Sequence, residues 1–180
     1  MKTQSSRIMI FTFIGVLFLS ASSACAKTVE EYFSRGNDYS KQGNFTQAVS
    51  DYTKAIEINH NDANIYNNRG LAYKNQGKVT EAISDFTRAI QINPNLGLAY
   101  NNRGNAYTSQ GNFTQAISDF TRFIQINPNL GLAYSNRGNA YYVAKEYNIA
   151  WLDVRKAEEL GYTVDPNFIT ALKKALGRDK

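Results

Sequence analysis

His60 is the one histidine and Cys25 the one cysteine of this 180-residue chain, and that scarcity bounds the chemistry open to it. A Cys/His nucleophile pair, a metal site of Cys and His ligands, and an intrachain disulfide each need more than the chain holds. A Ser–His arrangement would have to use His60, and no Gly-x-Ser-x-Gly elbow accompanies it. Gly70 to Lys78 resembles a phosphate-binding loop, but too many residues separate Gly70 from Gly77, and Val79 stands where the loop needs Ser or Thr. The carboxylate pairs Glu30-Glu31 and Glu158-Glu159 are sequence neighbours that diverge on a helix, which suits solvated faces better than acid/base work. The expectation is a non-enzymatic chain with no cofactor and no metal.

Charged residues recur in two rows instead. Arg35, Arg69, Arg103 and Arg137 stand 34 residues apart, and Asp51, Asp85, Asp119 and Asp153 follow at a constant offset. A matched pair in every period reads as an internal ion-pair ladder, with each arginine stem packed between helices. The rival is a row of anion-binding arginines for phosphate or nucleic acid, which the aspartates would quench. A second basic row, Lys54, Arg88, Arg122 and Lys156, falls late in its helices, where positive charge suits the helix dipole and a solvated outer face.

The elements that carry these rows follow from the same period. Gly36, Gly70, Gly104 and Gly138 are spaced by 34, as are Tyr32, Tyr66, Tyr100 and Tyr134, then Tyr39, Tyr73, Tyr107 and Tyr141, and Ala48, Ala82, Ala116 and Ala150. The repeats are 29–62, 63–96, 97–130 and 131–164. In the second, Tyr66, Arg69, Gly70 and Tyr73 share one helical stripe, Gly77 supplies a turn, and Ala82, Ile83, Phe86, Ala89 and Ile90 form a second stripe. Asn93-Pro94-Asn95 then stops the helix, because Pro pushes the residue before it out of the helical region. Residues 165–177 predict a capping helix: Asp165 as N-cap, Pro166 in the first turn, Phe168, Ile169, Leu172 and Leu176 on one face, and Gly177 as the stop. A lone hairpin cannot cover its apolar stripe, so the hairpins must stack.

This pattern resembles the tetratricopeptide repeat (TPR): an aromatic at position 4, Gly at 8, Tyr at 11, Ala at 20, an aromatic at 24, Ala at 27 and Pro at 32. The second repeat has all seven in Tyr66, Gly70, Tyr73, Ala82, Phe86, Ala89 and Pro94. The resemblance implies an all-α fold, a right-handed α-solenoid of four helix-turn-helix hairpins plus the C-terminal capping helix. His60 replaces Pro in the first repeat and Phe123 replaces Ala in the third. The fourth carries Lys145 at its turn, Val154 for the aromatic and Tyr162 for Pro, so it should end differently and pack more loosely.

In proteins that this chain resembles, the first helices line a concave groove that holds a peptide. The groove positions here are rich in asparagine: Asn67 and Asn101, then Asn68, Asn102 and Asn136, then Asn37, Asn105 and Asn139 with Leu71 between. A carboxamide both donates and accepts, so such a ladder could hydrogen-bond a peptide backbone, with Leu71, Leu98, Leu132 and Tyr142 adding apolar contacts. The bland reading, in which these amides only solvate or cap the helices, stays open beside it. Grooves that clamp a chaperone's C-terminal carboxylate resemble a basic pattern for which this chain has Phe33, Leu98 and Asn102, or Asn67, Leu132 and Asn136, all uncharged.

The expected function is a protein–protein interaction scaffold for a protein or peptide partner. A polyanion or nucleic-acid binder and a self-associating module are the alternatives. Residues 1–26 read as an export signal: Lys2 and Arg7, the apolar run Ile8 to Leu19, then Ala24-Cys25-Ala26. Cleavage after Ala26 would give a periplasmic or secreted protein. Lipidation at Cys25, or retention as an anchor, would tie the chain to a membrane through this segment alone. Without Lys2 and Arg7, 18 basic residues face 15 acidic ones, a net +3 that is too mild to argue for nucleic acid.

Overall fold

The computed structural model describes residues 27–178, so the leader reading, with Cys25 and Ala26, lies outside the described residues. Nine helices and no strand occur among them: α1 (Val29–Lys41), α2 (Phe45–Ile58), α3 (Ala63–Asn75), α4 (Val79–Ile92), α5 (Gly97–Ser109), α6 (Phe113–Ile126), α7 (Gly131–Val143), α8 (Tyr147–Glu159) and α9 (Pro166–Ala175). They form four hairpins and a capping helix, an all-α solenoid.

Every hairpin turn closes in the same way. The backbone N–H of Asn44, Lys78, Asn112 and Glu146 donates to the carbonyl of Tyr39, Tyr73, Tyr107 and Tyr141 at 2.8–2.9 Å. That closure needs a left-handed residue just past the helix end. Gly43, Gly77 and Gly111 supply it at φ of 76–77°, and Lys145 is forced into it at φ 66°. Between hairpins, α4 ends where Pro94 excludes Asn93 from helix, and the Asn93 side chain accepts the N–H of Asn95 at 3.0 Å.

Within a hairpin, the glycine of the first helix faces the aromatic ring of the second. A Cβ at Gly36 or Gly70 would lie 2.7 Å from the ring of Tyr52 or Phe86, and at Gly104 2.9 Å from that of Phe120. At Gly138 the nearest atoms stand at 3.3 Å, because Val154 occupies the aromatic's place.

The fourth hairpin ends differently from the others, through Gly161 at φ 78° and a bond from the Tyr162 N–H to the Ala157 carbonyl. It is not loose, as its sequence led us to expect. Ala150, Val154 and Ala157 are fully buried, because Val164 and Leu172 of the capping segment close over the smaller side chain.

Helices α1, α3, α5 and α7 contact one another in series, whereas the even helices make no comparable contact among themselves. A stack whose odd helices touch while its even helices spread curves with the odd helices on its inner, concave side.

The two ends are finished by different means. In the later hairpins, Ile65, Ala99 and Ala133 and, seven residues on, Ala72, Ala106 and Ala140 dock on the preceding hairpin at 0–1% exposure. The first hairpin has Glu31 and Asp38 at these places, charged and exposed where the later hairpins bury apolar side chains. At the other end α9 lays Leu172 against α8 and leaves Lys173 and Lys174 in solvent.

Gly70→Ala should lower stability by about 1–3 kcal/mol, since the Phe86 ring must move to admit the methyl. Gly138→Ala should lose less, and Lys145→Gly should gain about 1 kcal/mol by releasing the left-handed strain. Urea unfolding with unchanged slope measures all three; equal losses at the two glycines would contradict the ring-contact argument.

Candidate functional site

Four arginines stand at the joints of the stack. Nε and Nη2 of Arg69, Arg103 and Arg137 donate to both carboxylate oxygens of Asp85, Asp119 and Asp153, each bond 2.8 Å. Arg35 grips Asp51 with the same fork. The aspartates are 3–5% exposed. In the three later joints Nη1 also reaches back to the preceding hairpin, donating to the hydroxyl of Thr53, Thr87 and Thr121 at 3.0, 3.0 and 3.2 Å. Each hydroxyl in turn donates to the carbonyl one helical turn earlier, which aims its lone pairs at the arginine. Tyrosine rings flank the guanidiniums of Arg69, Arg103 and Arg137, with Tyr66 and Tyr73 at 5.5 and 5.8 Å from that of Arg69.

These contacts hold the four guanidiniums above their ordinary pKa. For Arg35, Arg103 and Arg137 the hydrogen bond donated to the aspartate is the largest cause. For Arg69 burial is the largest influence and works the other way, but the hydrogen bond and charge of Asp85 outweigh it. The charge is spent inside the protein. The threonines went unnoticed in the sequence although they keep the same 34-residue period. A mid-helix threonine looks like an ordinary solvated residue until its neighbour across the joint is known. The fourth repeat has Arg155 at that place, where no fifth arginine follows. The second basic row lies on the outer helices, with Lys54, Arg88 and Lys156 exposed and Arg122 half-buried.

The asparagines divide into two sets. Asn67 and Asn101 are buried, at 6% and 9% exposure, and their Oδ1 atoms accept Nδ2 of Asn102 and Asn136 at 2.9 and 2.7 Å. Asn68 donates to Oδ1 of Asn37 at 2.9 Å, and Asn37 also accepts the Tyr52 hydroxyl at 2.7 Å. Burial pushes the Tyr52 phenol up to about 12. The sequence offered all of these amides to a ligand; in the structure Asn67 and Asn101 serve as acceptors inside the wall, tying each odd helix to the next.

The rest of the row has free capacity. Oδ1 of Asn102 and of Asn136 accepts from no described residue, and the carboxamides of Asn105 (half-buried) and Asn139 (exposed) bond to none. Leu98 stands 58% exposed one turn before Asn102, and Leu132 is half-buried at the matching place on α7. Leu71 packs inward near Phe86, and Tyr142 turns away to an edge-on contact with Phe168 of the cap, centroids 5.4 Å apart. The concave face is therefore neutral and amide-rich in the middle, with leucines near the starts of α5 and α7. No cluster of three or more His, Cys, Asp or Glu that could hold a metal occurs among the described residues.

Family models place the chain. One described as TPR repeat matches residues 36–77, and one described as tetratricopeptide repeat matches 63–96 and 97–130. The chain belongs to the tetratricopeptide repeat family. The crystal structure of MamA is similar at 28% identity and TM-score 0.71, over 74% of this chain and 78% of that one. The Arabidopsis OM64 TPR domain is similar at 28% identity and TM-score 0.60, over 62% of this chain and 93% of its own. The first TPR of Spaghetti (RPAP3), bound to the HSP90 peptide SRMEEVD, is similar at 26% identity and TM-score 0.63, over 65% of this chain and 95% of its own. A comparison with curated proteins by sequence gave no match. The repeats and a peptide-bound neighbour make this chain a protein-interaction scaffold.

Arg103→Met should destabilise the protein by about 3–5 kcal/mol, because it strands the Asp119 carboxylate in the core. Thr87→Val should lose about 1 kcal/mol, and a double-mutant cycle should show the two coupled. If Arg103→Met kept full stability while abolishing binding to an acidic ligand, the arginines would be ligand groups and not joints.

Proposed function

We propose that the chain holds an extended, largely uncharged segment of a partner protein along the concave face of α3, α5 and α7. The observation that carries this reading is the anchored asparagine row. Asn102 and Asn136 are each fixed by one Nδ2 bond to the helix before, which leaves Oδ1 open for a backbone N–H from a ligand. An amide already held in place loses little side-chain entropy on binding, so the contact favours association more than a free asparagine would. Asn105 and Asn139 add a donor and an acceptor each on the same faces, one turn further along. Leu98 and Leu132 supply apolar contact for alternate side chains of the segment.

The lack of cations at these places sets the ligand's character. An acidic tail such as the peptide bound to RPAP3 has no counter-charge on α5 or α7, apart from the arginines committed to aspartates. A polyanion reading meets the same obstacle.

The reading extends to place. Lys2, Arg7, the apolar run from Ile8 to Leu19 and Ala24-Cys25-Ala26 support export, with a mature chain starting at Lys27 and partners outside the cytoplasm. The intact mass of the protein recovered from its own cells tests this, and a retained leader without lipid would overturn it.

Site-specific photocrosslinking from Leu132 in cells tests the groove. The comparison variant combines Leu98→Ser, Asn105→Ala and Asn139→Ala, none of which braces the wall. The expected outcome is loss of captured partner with thermal stability unchanged; the same partners captured at the same yield would place binding elsewhere.

A further inference from the structure

The basic row on the outer helices is not uniform, and its two central members differ from its ends. Position 26 is Lys54 and Lys156 in the first and last repeats, but Arg88 and Arg122 in the middle two. Position 29, one turn later, is Glu57 and Glu159 at the ends, but Gln91 and Gln125 in the middle. In the last repeat Lys156 is neutralised by Glu159 at 3.3 Å. In the middle repeats the acceptor is uncharged: Nη1 of Arg88 and Arg122 donates to Oε1 of Gln91 and Gln125 at 3.3 and 3.1 Å. Each guanidinium is thereby positioned without being neutralised, and neither makes an ion pair among the described residues.

The helix dipole, which the sequence suggested as their partner, does not account for these two. Arg88 and Arg122 stand before the last turns of α4 and α6, which hold no basic residue. Nor do the carboxylates around them. Asp85 and Asp119, three residues earlier, are closed in the forks of Arg69 and Arg103. Glu81 lies two turns before Arg88, in the first turn of α4, where the helix start stabilises it; the third repeat has Gln115 at that place. The charged residues of the third repeat are Arg103, Asp119 and Arg122, so Arg122 carries the charge that nothing there balances. Beside Arg88 a polar cleft of about 420 Å³ opens over the Arg69–Asp85 pair, with Ser84, Thr87 and Gln91 on its walls. The ring of Tyr66 forms its floor, 6.0 Å from the Arg88 guanidinium. We infer that Arg88 and Arg122 form a two-point anion site on the α4–α6 side of the stack. Its ligand is a short acidic segment of a partner protein, with two carboxylates three residues apart.

Group chemistry selects the carboxylate. A guanidinium meets it with two parallel N–H groups, and one already held by a glutamine loses less freedom on binding. Ser84 and Ser118, both exposed, stand one turn before the arginines and add a hydroxyl donor beside each. Spacing sets the register. Packed helices lie about 8–10 Å apart, and the even helices spread somewhat beyond that. An extended chain covers such a gap in three residues of about 3.3 Å each. The flanking repeats limit the length. The first sets six carboxylates against three cations. The fourth balances four with four, and its unpaired Arg155 has the unpaired Glu158 three residues on. A long polyanion such as a nucleic acid would run onto the acidic first repeat, whereas a segment spanning two hairpins stays on the positive ones.

The test titrates three blocked peptides, Glu-Ser-Gly-Glu, Glu-Glu-Ser-Gly and Lys-Ser-Gly-Lys, into the whole chain and follows the arginine Nε–H signals by NMR. The first peptide should move the Arg88 and Arg122 signals and bind more tightly than the other two. Two double variants carry the controls. Arg88→Gln with Arg122→Gln removes both charges. Gln91→Glu with Gln125→Glu keeps the arginines but gives them the carboxylate that the end repeats already tolerate. Each should weaken binding of the first peptide about fivefold or more, with thermal unfolding showing the fold intact. The proposal is overturned if the two signals stay still, if either control peptide binds equally well, or if either variant binds undiminished. Movement confined to the side-chain amides of Asn102 and Asn136 would also overturn it. So would tighter binding of a short oligonucleotide at the same two arginines, which would give the site to nucleic acid. The photocrosslinking result at the groove is independent of all of these.

Discussion

A guanidinium fork closed on a carboxylate, with its third nitrogen on a hydroxyl across the joint, is the contact around which this stack is organised. Each of Arg69, Arg103 and Arg137 belongs to the first helix of its own hairpin, holds the second helix through Asp85, Asp119 or Asp153, and touches the preceding hairpin through Thr53, Thr87 or Thr121. Three helices meet at one side chain. A buried ion pair is not a large net source of stability against an apolar substitute. What it supplies is geometry, because a bidentate pair accepts little rotation. The tyrosines on either side keep water away from it, and the glycine next to each arginine in sequence lets the helices approach closely enough for the fork to reach.

The asparagine wall depends on this frame. Amides on neighbouring odd helices bond at 2.7–2.9 Å only if the hairpins repeat at a constant offset. The wall in turn presents the amide oxygens of Asn102 and Asn136 to the concave space. Frame and surface are thus the same repeated geometry, read once on the side of the stack and once on its inner face.

Much of this was legible in the sequence, because a repeat shows its packing rule several times over. Gly36, Gly70, Gly104 and Gly138 marked the period of the hairpins, and Arg with Asp could be read as a pair. What escaped was whatever depended on the joint between hairpins. Thr87 is an unremarkable helical threonine until Arg103 lies across from it. Asn67 and Asn68 are adjacent in sequence, yet one is buried and the other half-buried, and only the stacking of α5 on α3 decides which. The fourth hairpin was misjudged for the same reason: Val154 looked too small, but Leu172 and Val164 arrive from a different element to fill the space. Glu31 and Asp38, which finish the first hairpin, are informative only when set beside the buried Ile65 and Ala72 of the next.

The joints are also interchangeable. Thr53 offers Arg69 the same hydroxyl that Thr87 offers Arg103, and the surfaces at Ala72, Ala106 and Ala140 are alike. A whole hairpin could be lost or duplicated in the gene with every arginine–threonine joint preserved, provided the first hairpin with its charged outer face and the last with its cap stay at the ends. The length of the groove is then a variable that such a lineage can change in steps of one hairpin, while the fold around it stays the same.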